Sequence, residues 1–237
     1  MTLANRSGRT NPQITPVSHA RSAVERAGQI GITPDRFPMP GVHFASEQIA
    51  GVVHGSATHV DAPWHYGPET AGKPARTIDE LPLDWFWGDG VVLDFSREQD
   101  GGALTPEDVD RALEGHRLEP GDIVLIRTDL DKSDDPDKHL RMKELSRAAA
   151  ERLLDRGVRV IGTDAASPDR SHAEELAKGH PERYYPAHHL GREREYCIVE
   201  LLTNLHELPH DGFQVALFPL KIERGSGGWC RAVAFVP

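Results

Sequence analysis

Cysteine is nearly absent: the 237 residues include only two, Cys197 and Cys230. Their wide separation excludes both a disulfide framework and a cysteine-based zinc site. They read as two reduced, buried thiols of a cytoplasmic protein. No apolar run approaches the roughly 18 residues of a membrane span, and mean hydropathy is −0.49. No block of Lys or Arg offsets a formal net charge of −10. Phosphate-tracking nucleic-acid binding rests on clustered cations, so that class is excluded as well. Residues 1–15 are polar and lack the apolar stretch of a secretion signal. No internal repeat and no low-complexity tract divides the chain.

A chain of this length buries a sizeable core without a metal or disulfide to hold it together. The expected layout is a loose N-terminal arm over residues 1–16 and a single catalytic domain over 17–237. A helix is expected over 18–27, with Ala20, Val24 and Ala27 on one face and Gly28 as its stop. Thr105-Pro106-Glu107-Asp108 has a capping hydroxyl, a proline at the first helical position and acids in the first turn. A further helix is expected over 137–156, with Met142, Leu145, Ala149 and Leu153 at helical spacing. Short β-branched runs at 90–95, 122–127, 158–163, 196–201, 213–222 and 231–236 read as buried strands. Helices alternate with strands mid-chain and strands dominate the end, which predicts an α/β fold with a mixed sheet. The stretches 66–89 and 164–195 are long for connections, a length typical of functional loops.

Thirteen histidines are the excess that calls for an explanation. Three fall in His54-Gly55-Ser56-Ala57-Thr58-His59-Val60-Asp61-Ala62-Pro63-Trp64-His65, together with one carboxylate. Imidazole and carboxylate are the ligands that zinc and manganese favour. In extended chain His59 and Asp61 share a face, and Pro63 forces a turn that brings His65 back towards them. The set reads as a metal site.

The segment Thr58 to His65 resembles the THxDxPxH signature of the metal-dependent cyclase family. That family includes bacterial kynurenine formamidases, isatin hydrolases and enzymes called polyketide cyclases. Residues 160–165 resemble its strand-end GxDA segment. His188, followed twelve residues later by Glu200, resembles its second ligand pair. The resemblance covers residues 50–236 and implies a mixed, partly barrel-like β-sheet flanked by helices, assembled as a homodimer or homotetramer. It implies His59, Asp61, His188 and Glu200 as ligands of one or two divalent ions, zinc or manganese, with Asp61 a bridge if there are two. It makes His65 a ligand or the general base. The family's first histidine stands four positions before its second; here that place is Gly55, and His54 stands five before His59. His54 therefore either still reaches the metal or has left it.

His189 competes with His188, since neighbours in extended chain point to opposite sides. Asp164 either orients a ligand imidazole or is an ordinary strand-end aspartate. Trp64 is the expected wall of an aromatic-substrate pocket, whereas Trp85 and Trp87 serve packing or a subunit interface equally well. The expected activity is hydrolysis of an amide, formamide or lactone bond on a small aromatic substrate by metal-activated water. The alternative is an aromatic polyketide cyclase that uses the same metal for an aldol-type ring closure. A non-catalytic binding protein is a third reading, but it gives an intact shuttle histidine nothing to do.

Overall fold

In a computed structural model, which describes residues 12–98, 101–133, 135 and 138–237, the apolar runs become the middle of one eight-stranded sheet. Its strands are β1 (His59–Asp61), β2 (Trp87–Asp94), β3 (Ile123–Arg127), β4 (Val160–Thr163), β5 (Cys197–Glu200), β6 (Phe213–Ala216), β7 (Gly227–Trp229) and β8 (Val233–Phe235). In space the order is β7-β1-β5-β4-β3-β2-β6-β8. Strands β2, β3, β4 and β5 run parallel, while β1, β7, β6 and β8 extend the two edges antiparallel. The sheet is mixed and curls into a half-barrel, as expected.

The central strands read as continuous apolar runs because both of their faces are covered. Val91, Leu93, Val124, Ile126 and Ile198 pack on one side with Val109, Leu153 and Leu190 from the helices. Val92, Ile123, Leu125, Cys197 and Val199 pack on the other with Leu81, Phe86 and Phe213. Val60 belongs to the second layer, so His59 and Asp61, which alternate with it, lie on the first.

Three expected elements differ. The first helix runs His19–Ile30 and stops at Gly31, whose φ of 72° gives the left-handed cap; Gly28 is carried inside the helix. It buries Ala23 and Ala27, and Val24 faces solvent. The helix expected over 137–156 is two, Lys138–Arg141 and Arg147–Leu154, separated by Glu144–Leu145 pairing with Ala103–Leu104; Asp137 lies outside the described residues. Met142 and Leu145 point inward on both sides of the break, so the spacing hid it. Ser146 ends the pairing and caps the second helix, accepting from Ala149 N and donating to Leu104 O. The strand expected over 213–222 ends at Ala216, and beyond it Pro219 makes only an isolated bridge to Cys230.

Residues 13–16 of the expected arm are paired: Gln13–Val17 and Ser46–Ala50 form a separate antiparallel ribbon. Residues 1–11 lie outside the described residues. Among the described residues, no helix is long and apolar enough to cross a membrane.

Candidate metal centre

Register builds the site. Glu200 pairs with His59 across β5 and β1, and Ile198 pairs with Asp61. Partners opposite one another share a face, so the imidazole and both carboxylates meet on the side that carries the helices. His188 arrives from the short helix Pro186–Leu190. His59 Nε2 lies 3.3 Å from Asp61 Oδ1 and 3.5 Å from Glu200 Oε2. His188 Nε2 lies 3.7 Å from Asp61 Oδ2 and 3.6 Å from Glu200 Oε1.

Both imidazoles are fixed from behind. His59 Nδ1 donates to Ala57 O at 2.8 Å, and His188 Nδ1 donates to Asp169 Oδ1 at 2.7 Å. Each ring, when neutral, therefore aims a lone pair from Nε2 at the gap between the carboxylates. His59 Nε2 and Asp61 Oδ2 are buried without a hydrogen-bond partner. Buried polar atoms rarely stay orphaned, and atoms that converge in this way suit a divalent cation. His59, Asp61 and Glu200 each offer a ligand atom within 4.8 Å of the others. The residues present fit the ion that the sequence implied.

The electrostatics follow from packing negative charge into a dry place. Burial alone would lower His59, but Asp61 and Glu200 outweigh it and lift the imidazole to about 9. Glu200 is pushed up to about 8, by burial first and then by the charge of Asp61. Burial would raise Asp61 too, yet the nearby imidazoles of His188, His54 and His59, of which His54 hydrogen-bonds it, hold it well below the carboxylate range.

Asp169 was not singled out in the sequence. It is almost fully buried and accepts from His188 Nδ1 and from the backbone N–H groups of Ala187 and His188, at 2.7–3.0 Å. Of the two readings of Asp164, the strand-end aspartate is the one its hydrogen bonds support. Its carboxylate accepts from Thr128 N, Asp129 N and the Thr128 hydroxyl, tying the end of β4 to the end of β3; burial lifts it to about 6. Asp169→Asn should lower metal affinity by about 10–100-fold and also lower the melting temperature of the metal-free protein, because an amide NH2 then faces one of the donors that the carboxylate served. Equilibrium dialysis and thermal melts, each with and without zinc, measure both.

Tyr66 floors the site. Its hydroxyl accepts from Ile198 N at 2.9 Å and donates to the Asp61 carbonyl at 3.4 Å. A Cβ at Gly191 would run into the Tyr66 ring. Gly191→Ala should therefore destabilise the fold by about 1–3 kcal/mol through overpacking, read as a lower melting temperature. An unchanged melt would contradict that contact.

The remaining sequence candidates divide. His54 and His65 both enter: their rings stack at 3.9 Å with 15° between planes. His54 also holds Asp61 at 2.7 Å. His65 keeps an exposed edge, and the protein around it lowers its pKa to about 4, an effect of desolvation that Asp61 only partly opposes. His189 turns away, its ring 5.8 Å from that of Tyr184. Trp64 is 44% exposed beside His65. The guanidinium groups of Arg76 and Arg159 lie over the Trp85 ring at 4.6 and 5.0 Å. Trp87 stacks on Phe218 and meets Phe235 at a tilt of 53°.

Two imidazoles and two carboxylates converging on a mixed sheet, with further histidines at the open side, define a candidate metal-dependent enzyme of the α/β class. The chain belongs to the putative cyclase family, whose model matches residues 9–170; His188 and Glu200 lie beyond that span. It is 34% identical over 202 residues to the isatin hydrolase of Roseibium aggregatum, covering 77% of this chain and 72% of that protein. It is 30% identical over 184 residues to the kynurenine formamidase of Paracidovorax citrulli, covering 76% and 75%. Among solved structures, isatin hydrolase A from Labrenzia aggregata bound to benzyl benzoate superposes with a TM-score of 0.72 at 26% identity. That likeness covers 100% of this chain and 88% of the other. The relatives are hydrolases by name, and the chain is an enzyme of that type.

Proposed function

We propose that the protein is a metal-dependent hydrolase that opens an amide, formamide or lactone bond on a small aromatic substrate. The observation that carries this reading is the pair of orphaned buried atoms, His59 Nε2 and Asp61 Oδ2, aimed at the same gap as His188 and Glu200. Those four residues would hold a zinc or manganese ion. A divalent cation so held supplies Lewis acidity, which polarises a carbonyl and makes water a better nucleophile at neutral pH.

The chain's own residues do the rest. Asp61 and Glu200 balance the cation's charge. His65, neutral at pH 7 because its pKa is lowered to about 4, has a lone pair ready for a proton. It accepts one as water adds to the carbonyl and returns it to the departing nitrogen or oxygen as the carbonyl bond breaks. Trp64, exposed next to it, offers a flat apolar face to an aromatic ring. The same reading takes residues 17–237 as one catalytic domain, in a homodimer or homotetramer of the cytoplasm.

The test is metal content before and after chelation, with hydrolysis of isatin, N-formylkynurenine and a simple aryl ester assayed on the same samples. Chelator-sensitive hydrolysis is expected. Bound metal without hydrolysis of any of these would turn the reading to intramolecular ring closure, and no metal after reloading would end it. His65→Ala should lose about 10²–10⁴-fold in turnover while keeping its ion. Loss of an equivalent of metal would make His65 a ligand instead.

A further inference from the structure

His54 differs from His59 and His188 in how its nitrogens are used. Its Nδ1 lies 2.7 Å from Asp61 Oδ1. A carboxylate only accepts, so Nδ1 carries the proton. In that neutral tautomer Nε2 has the lone pair, and Ser226 Oγ, 2.8 Å away, donates into it. No lone pair on His54 is left for a cation. His59 and His188 are arranged the other way, with Nδ1–H donating to protein oxygen and Nε2 turned to the carboxylates.

Two further features hold His54 in that role. The backbone of β7 fits flush against the ring because Gly227 has no side chain; a Cβ there would stand 2.8 Å from His54 Cε1. His65 stacks on the ring with its plane only 15° from parallel. Metal–imidazole bonds lie in the ring plane, so two stacked, nearly parallel rings direct their lone pairs alongside each other and not at a common point. His54, Asp61 and His65 lie close enough together to suggest a second cation position, but the ring orientations close it.

We propose that Ser226 is a positioning residue that occupies the one lone pair left on His54 while Nδ1–H donates to Asp61, so that the centre takes one divalent ion per chain. That ion sits on His59, Asp61, His188 and Glu200, with none between His54 and His65. The inference rests on the metal-site reading above. It also explains the extra residue between His54 and His59, which sets the ring beside Asp61 within reach of β7.

Zinc per chain, measured by elemental mass spectrometry after equilibrium dialysis, tests it on wild type, His54→Ala and His54→Gln. One zinc in all three is the expected result. Two in wild type falling to one in the variants, or one falling to none, makes His54 a ligand and overturns the proposal. No zinc in wild type refutes the metal centre itself, an outcome distinct from either. The role of Ser226 is read from imidazole ¹H–¹⁵N correlation spectra of the zinc-loaded protein. His54 should appear as the Nδ1–H tautomer in wild type, Ser226→Thr and Ser226→Ala alike, because Asp61 accepts from it, while its Nε2 resonance should move downfield to the position of an unbonded imidazole nitrogen in Ser226→Ala and stay in place in Ser226→Thr. An unchanged Nε2 resonance in Ser226→Ala removes Ser226 from the argument.

Discussion

His59→Ala is expected to abolish bound metal and activity together, with turnover falling by about 10³-fold or more, since on the proposed reading the ion would both activate water and polarise the carbonyl. The reason lies in the sheet. His59 is fully buried and sits between Asp61 on its own strand and Glu200 on the next. No nearby side chain can replace it without breaking the register of β1. Glu200→Ala should behave alike, because it also removes a proposed ligand and leaves Asp61 alone to balance the cation's charge. Metal content and turnover measured on the same preparations decide the matter. A variant with full metal and full turnover would remove that residue from the centre, and loss of turnover with full metal would make it a catalytic group instead of a ligand.

The second large effect concerns pH. In the metal-free protein His59 and Glu200, lifted to about 9 and about 8, both hold protons at neutrality, and an ion must expel them. Metal affinity should therefore rise with pH, by about tenfold per unit for each proton displaced. Titration calorimetry in two buffers of different ionisation enthalpy counts those protons. Stability moves the opposite way in the metal-free state. Each group's folded pKa lies above its unfolded value, so the folded state binds more protons over the interval between the two. For Glu200 that interval is from 4.5 to about 8, and for His59 from 6.5 to about 9. Stability without metal should accordingly fall as pH climbs through these windows. The gain in melting temperature on adding zinc should be larger near about pH 8.5 than near about pH 6. Equal gains at the two values would mean that the ion does not displace these protons.

Much of this was legible in the sequence because it is local. The central strands announce themselves because burial on both faces leaves no room for polar alternation, and Val60 between His59 and Asp61 fixes which side the two ligands share. Long-range relations were not legible. Asp169 stands in a loop among residues of ordinary turn composition; its value comes from a fold of 164–195 that brings it under His188, and nothing at its own position says so. Asp164 looked better placed by motif, yet the strand end beside it consumed its oxygens. Ser226 lies in a glycine-rich tail and matters only because β7 returns alongside β1. The break at Glu144–Leu145 was hidden for a different reason, since Met142 and Leu145 would point inward whether or not the helix continued.

The facing of Glu200 and His59 across two strands has a consequence for assembly of the chain. Side chains alternate along a strand, so sliding β5 past β1 by one residue would turn Glu200 to the opposite layer and bring Val199 or Leu201 to the gap. Such a mispaired sheet would be nearly as apolar as the native one and could persist as a trap. It would, however, leave Asp61 as the one carboxylate of the pair still facing the two imidazoles. Binding energy would then accrue to a single strand alignment, and a divalent ion present during refolding would act as a proofreader that draws slipped chains back to the native pairing.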